Sequence, residues 1–231
     1  MGGLNVKITM VERVLQIIAP HPCYGCGKVG MLLCSHCKYN IINEPFMGCI
    51  VCQTPQIDGI CEYHDSPLDR AFIVSTRTDA LENAINGLKF SNVKACARVL
   101  AELLDDSLPI LPLNTTIVPV PTVRSHVRRR GYDQVELIAR HFATLRGLKI
   151  NHMLTRAGNS TQHTANRATR EVQALSAFTL NPTPSDEPSD GPILVLDDII
   201  TTGSTVLAAS RLLKQADRPI WVAALAYQPL D

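Results

Sequence analysis

A chain of 231 residues, 45% of them apolar, can form one good core with a small appendage, or two modest domains. Its formal net charge of +1 selects no partner by bulk attraction, and no apolar run approaches the roughly 20 residues a membrane helix needs. The first residues lack a basic stretch followed by a long apolar one, so neither a signal peptide nor membrane insertion is expected, and the expected compartment is the cytoplasm.

Residues 10–18, "MVERVLQII", place Met10, Val14, Ile17 and Ile18 at helical spacing, and Pro20 and Pro22 end the pattern. Seven of the eight Cys then fall between Cys23 and Cys61. Clustered pairs in a reducing compartment point to metal rather than to disulfides. The segment 23–64 has little else to form a core, so it needs a metal to fold. C-x2-C occurs at Cys23/Cys26, Cys34/Cys37 and Cys49/Cys52, and Cys61/His64 repeats the spacing with His as its second member. Each knuckle aims two ligands at one point, and two knuckles complete a tetrahedral zinc. Eight ligands imply two zinc ions. The sequential pairing is Cys23, Cys26, Cys34, Cys37 and then Cys49, Cys52, Cys61, His64; spacing alone leaves a crossed pairing open. His21 is a competing donor outside the spacing. Both sites are closed, which suits a structural or partner-binding role rather than catalysis. Cys96 sits on the apolar face of a helix and reads as a small core residue.

The pattern changes near residue 68, which divides the chain into 1–67, a helix with the metal module, and 68–231. "AFIVS" (71–75) reads as a strand and "ALENAINGLKF" (80–90) as a helix. "NVKACARVLAELL" (92–104) is a second helix with Ser91 as its N-cap. "TTIVPVP" (115–121) is a buried strand, and "QVELIARHFATLRG" (134–147) is an amphipathic helix closed by Gly147. The stretch 181–192, rich in Pro and acids, reads as an exposed loop. "ILVLD" (193–197), "STVLAASRLLKQA" (204–216) and "PIWVAALAY" (219–227) form a strand–helix–strand unit. Apolar strands alternating with helices imply an α/β fold: a mostly parallel sheet with helices on both faces.

Ligands of such sheets bind outside the carboxyl ends of the strands. The stretch "ILVLDDIITTGST" (193–205) delivers Asp197 and Asp198 to that edge and then opens a helix near Ser204. The first N–H groups of that helix face the loop and suit an anion. Gly203 allows close approach, and Thr201, Thr202, Ser204 and Thr205 add hydroxyls. The two acids suit vicinal hydroxyls or a hydrated divalent ion. A ribose 5-phosphate unit has both halves. A plain turn would explain one acid and one hydroxyl, but not two acids, four hydroxyls and a glycine in strand–loop–helix order.

The stretch "VPVPTVRSHVRRRGYDQ" (118–134) follows another strand end and carries Arg124, Arg128, Arg129 and Arg130 within seven residues. Arg suits phosphate because its planar fork gives paired hydrogen bonds. A solvated basic turn or a nucleic-acid patch is the competing reading for Arg128 and Arg129, since three successive Arg rarely point one way. "TRAGNSTQHTANRATR" (155–170) has three Arg, one His and no acid, a composition that suits either a loop closing over an anion or a plain polar loop.

At this point "VLDDIITTGST" resembles the phosphoribosyl pyrophosphate (PRPP) motif of type I phosphoribosyltransferases. The resemblance implies that Asp197 and Asp198, the catalytic candidates, hold the ribose hydroxyls, and that Thr201, Thr202, Gly203, Ser204 and Thr205 hold the 5-phosphate. The pyrophosphate, bound with Mg2+, then falls to Arg124 and Arg130. The paired Cys, "LKF" at 88–90, "VPVP" with "RRRGYDQ" and "STQH" with a following Arg resemble one subgroup, the ComF family, over nearly the whole chain. That family joins a double zinc ribbon to this transferase fold. The resemblance adds Lys89, and Arg156, Gln162, His163, Arg167 and Arg170 as loop candidates. Tyr132 and Asp133 depart from the family's usual Phe and Asn, and Gln173 from an Asn; an acid at Asp133 beside an anion site argues against its direct contact with the ligand.

Three readings follow. The leading one is a PRPP-binding ComF-type protein of DNA uptake and natural transformation, handling incoming single-stranded DNA, with other uptake proteins as further partners. The second is a working transferase that moves ribose 5-phosphate from PRPP to an unidentified acceptor. The third is a zinc-ribbon interaction protein with a vestigial transferase fold, against which the intact acids and hydroxyl loop argue. A net charge of +1 and 5% aromatics argue against a large stacking surface for single strands.

Overall fold

The computed structural model describes residues 21–157, 177–181, 190–214 and 217–228. The expected helix at 10–18 and the candidates Gln162, His163, Arg167 and Arg170 lie outside these residues, as does Gln173.

Seven strands are described: β1 (Arg70–Thr76), β2 (Thr116–Pro119), β3 (Lys149–Ile150), β4 (Leu154–Arg156), β5 (Phe178–Leu180), β6 (Ile193–Ile200) and β7 (Ile220–Tyr227). The helices are α1 (Ser35–Ile42), α2 (Asp79–Phe90), α3 (Ala95–Ser107), α4 (Arg124–Arg130), α5 (Gln134–Arg146) and α6 (Ser204–Leu213). Five strands form a parallel sheet in the order β1-β7-β6-β2-β3, and β4 and β5 form a separate antiparallel pair. The expected parallel α/β sheet is therefore present. Its central strands are buried on both faces, which explains their unbroken apolar runs.

One face is covered by α2, α3 and α5, the other by α6 and the β4–β5 pair. The crossover from β2 runs through α5 on the first face, and the crossover from β6 runs through α6 on the second. β2 and β6 are neighbours, so the chain leaves them in opposite directions. This is the switch point where an open parallel sheet forms its ligand crevice.

The metal-binding segment straddles the β1 edge. Leu32, Leu33 and Ile41 join the core under α2 and α3, whereas Ile50 joins the core on the opposite face. The Ala71 N–H donates to Asp58 O (2.8 Å), and the Ser75 hydroxyl donates to Glu44 O (2.7 Å). An exposed edge strand is thereby covered.

Three boundaries differ from expectation. The second helix begins at Ala95, and Ser91 is the C-cap of α2 rather than the N-cap of α3. Asn92 turns the chain at φ +56, and Val93 N–H returns to Gly87 O. The Arg cluster, for which no helix was expected and a basic turn was the competing reading, forms the short helix α4, closed by Gly131 at φ +80. β6 runs to Ile200, so Asp197 and Asp198 stand inside the strand, not at its end. The reason lies in its neighbours: β2 stops pairing at Pro119↔Leu196, while β7 continues to Ile200↔Tyr227. From Asp197 onward β6 is bare on its β2 side, and that notch is the crevice.

Candidate active site and metal centres

Asp198 is buried, with 5% of its surface exposed. Lys89 at the end of α2 donates to its Oδ1 (2.8 Å), and Gln134 at the start of α5 donates to its Oδ2 (3.0 Å). Both carboxylate oxygens are engaged and the charge is compensated. Arg130 Nη1 donates in turn to Gln134 Oε1 (2.6 Å), and its guanidinium lies 5.5 Å over the ring of Phe90. The Nε of Arg130 is buried with no partner among the described residues.

Asp197 is only half-buried, and one of its oxygens accepts the Asp198 N–H (2.8 Å). Burial, and then the negative charge of Asp198, push its carboxyl up to about 7. Lys89 and Arg156 pull in the other direction. Arg156 was expected in the polar loop; it is instead the last residue of β4, paired with Phe178, and is held by Pro121 O (3.3 Å).

The loop behind the acids ends at Gly203, the N-cap of α6, at φ +71 in the left-handed region that favours glycine. A glycine N-cap has no side chain to take the first-turn N–H groups, and those groups have no intrahelical acceptor. Ser204 N–H alone finds a long bond to Thr202 Oγ1 (3.4 Å). Asp197, Thr201, Gly203, Ser204 and Thr205 line one small cradle at the strand end.

The Arg cluster divides as helix geometry requires, because successive side chains step about 100° around the axis. Arg130 turns inward to Gln134. Arg128 and Arg129 are exposed, as is Arg124, and none of these three has a hydrogen bond or ion pair to another described residue. Arg124 thus stands apart from the network that joins Arg130 and Lys89 to the acids. Asp133 is a structural acid: it caps α5, accepting from the N–H groups of Val135, Glu136 and Thr122 and from the Thr122 hydroxyl. Tyr132 donates to Leu88 O and ties α5 to α2 beside Lys89.

Sequence reasoning missed Gln134, whose only signal was its place after a strand end in "RGYDQ". It also missed the cap, although Asp133 and Glu136 have capping-box spacing. His126 gave no signal. Burial first, and then Arg130, Arg129, Arg156 and Lys89, push its imidazole below the ordinary range.

The Cys and His residues form two groups, Cys23/Cys26/Cys34/Cys37 and Cys49/Cys52/Cys61/His64, each with its ligand atoms within 4.8 Å of one another. The pairing is sequential, not crossed. Cys26–Cys34 and Cys52–Cys61 sulfur distances are 3.6 Å, close to the ~3.8 Å edge of a tetrahedron with ~2.3 Å zinc–sulfur bonds. His64 Nε2 is buried with no partner among the described residues, as a nitrogen facing a metal would be. Both groups fit structural zinc. His21 is outside both, and Cys96 is buried on α3, its thiol pushed up to about 11 by burial.

The chain is 29% identical over 194 residues to Competence protein F of Haemophilus influenzae, covering 79% of this chain and 84% of that one. It is 31% identical over 164 residues to the DNA utilization protein YhgH of Salmonella typhi, covering 67% of this chain and 70% of that one. The chain belongs to the ComF family. The YhgH protein of Salmonella typhimurium is similar over a longer span, with 29% identity across 86% of this family member and 92% of that chain. No family model matches. A hypoxanthine phosphoribosyltransferase of Staphylococcus aureus superposes with a TM-score of 0.30 at 15% identity, over 60% of this chain and 64% of that one. A xanthine-guanine-hypoxanthine phosphoribosyltransferase of Helicobacter pylori gives 0.31 at 16%, over 57% and 71%. The fold stands on the sheet order itself. No helix among the described residues is long and apolar enough to cross a membrane.

Two outcomes are expected. Elemental analysis of freshly reduced protein should give about two zinc ions per chain, and Cys61→Ser should lose one of them; a single ion in the wild type would contradict the two groups. The folded chain also holds the Asp197 proton more tightly than an unfolded chain with its carboxyl near 4, so stability falls as pH rises through that window toward about 7. Asp197→Asn lacks this slope. Its melting temperature should gain on that of zinc-loaded wild type from about pH 5.5 to 7 and then keep its lead. A pH-independent difference would contradict the raised carboxyl.

Proposed function

We propose that this ComF-family chain binds PRPP with Mg2+ at the β2–β6 switch point and acts in the handling of incoming DNA. One observation carries the reading. A buried acid, fixed by Lys89 and Gln134, and a second acid with free capacity stand one loop away from a helix N-terminus capped by glycine. Asp197 and Asp198 face the ribose hydroxyls; Thr201 to Thr205 and the first N–H groups of α6 receive the 5-phosphate. Arg130, whose Nε has no partner among the described residues, serves the pyrophosphate together with Lys89. Asp197, the less engaged acid, offers the oxygen that Mg2+ prefers, and the ion neutralises charge on the pyrophosphate. The names of the relatives, Competence protein F and DNA utilization protein, support the cellular role. Exposed Arg128 and Arg129 suit phosphates of a single strand. The domain 68–231 carries the PRPP site, and the segment 1–67 carries the metals.

A working transferase is the second reading, favoured by a crevice that presents its acids and cations together. Displacement at the anomeric carbon needs leaving-group support from Arg and metal and no protein nucleophile.

Calorimetry tests the binding claim. Wild type should bind PRPP with Mg2+, and Asp198→Asn should weaken it by about 10- to 100-fold, the loss of a charge-assisted bond. Arg130→Ala should weaken PRPP, whereas Arg128→Ala with Arg129→Ala should only lower the salt sensitivity of oligonucleotide binding. Wild-type heats equal to dilution would end the reading, and the reverse pattern among the Arg variants would invert their roles.

A further inference from the structure

The residue that backs the phosphate loop comes from the metal-binding segment. Ile50, between Cys49 and Cys52, is completely buried. Its carbonyl oxygen lies 3.3 Å, and its side-chain carbons 3.5 and 3.6 Å, from where a Cβ on Gly203 would stand. Ile50 is itself held in place: its N–H donates to Gly59 O (2.9 Å), and Cys49 N–H donates to Thr54 O (2.8 Å) within the same knuckle. Gly59, at φ +72, lies so close to β1 that a Cβ there would meet Ala71 O at 2.4 Å. The segment is docked again where Phe46 stacks on Tyr227, the last residue of β7, at 4.1 Å between ring centroids.

We infer that Ile50 is a positioning residue for the phosphate loop, and that the metal group Cys49/Cys52/Cys61/His64 and the loop 201–205 form one cooperative unit. The knuckle turn that carries Ile50 keeps its shape only while its four ligands are drawn together. Metal loss therefore frees the surface against which Gly203 rests, and the loop loses the form that presents its N–H groups. The coupling is reciprocal: a phosphate ligand that fixes the loop also retains the metal. The inference rests on the loop taking a phosphate, as proposed above. The group Cys23/Cys26/Cys34/Cys37 belongs to the core on the other face, against α2 and α3, and has no such contact with the loop 201–205 among the described residues.

The test uses the zinc-loaded full chain. Transfer of zinc to a chromogenic chelator is followed with and without saturating PRPP and excess Mg2+. Two release phases are expected, with PRPP slowing one of them roughly fivefold or more and leaving the other unchanged. Ile50→Val and Ile50→Ala, checked for wild-type zinc content, should raise the PRPP dissociation constant by a similar factor. Leu33→Val, at a buried position beside the first group, should leave it unchanged. The Val variant keeps the test decisive if the Ala variant fails to fold. Wild type that binds PRPP but releases zinc identically in its presence, with Ile50 variants of undiminished affinity, overturns the coupling and leaves the PRPP reading standing. Wild type that binds no PRPP overturns both.

Discussion

A carboxylate buried at the centre of a sheet must be compensated, and the answer found for Asp198 organises the crevice. Its partners arrive from two different crossovers, Lys89 from α2 and Gln134 from α5. One residue of β6 therefore fixes the ends of two helices that are far apart in sequence. Removing Lys89 would leave a buried charge unpaired, at a cost of about 3–5 kcal/mol. The same network orients Arg130 and holds its guanidinium over Phe90. Asp197, one residue earlier, is left with the freer oxygens and the raised carboxyl. Two adjacent acids of one strand thus differ in role: Asp198 is held on both oxygens as a structural anchor, and Asp197 keeps the freer oxygens.

The metal-binding segment is more than an appendage to this sheet. It crosses the β1 edge and contributes apolar residues to the cores of both faces. So small a segment has few apolar residues of its own to order it, and zinc at the two ligand groups would supply the missing free energy. Metal binding consequently reaches the crevice by two routes, through the docking of the segment on β1 and β7 and through the contact of Ile50 with Gly203.

Much of this was legible in the residues. C-x2-C and C-x2-H spacing pointed to the eight ligands because knuckle geometry is local, but it left their pairing open until the fold grouped them in sequence. Long apolar runs predicted β6 and β7 because central parallel strands are buried on both sides. The loop 201–205 was legible because strand, acids, glycine and helix follow one another directly. What failed was non-local. Asp198 gave no hint of Gln134, 64 residues away in sequence, and Lys89, 109 residues away, entered only through the family resemblance. Ser91 looked like a cap by residue type, but the turn at Asn92 moved the next helix start to Ala95. The helix through the Arg run was not foreseen, because charge hides helical periodicity in a segment of seven residues with no buried side chain. Asp133 looked out of place beside an anion site until its four donors were seen.

The central claim is that the loop and first turn of α6 receive a phosphate while Asp197 and Asp198 face the attached ribose. Amide hydrogen exchange with and without saturating PRPP and Mg2+ reads this directly. Slowed exchange is expected at Gly203, Ser204, Thr205 and Val206, whose N–H groups gain an acceptor, with little change in the buried ladder of β6 at Leu194 and Val195. Unchanged exchange across 203–206 under saturating ligand would contradict it.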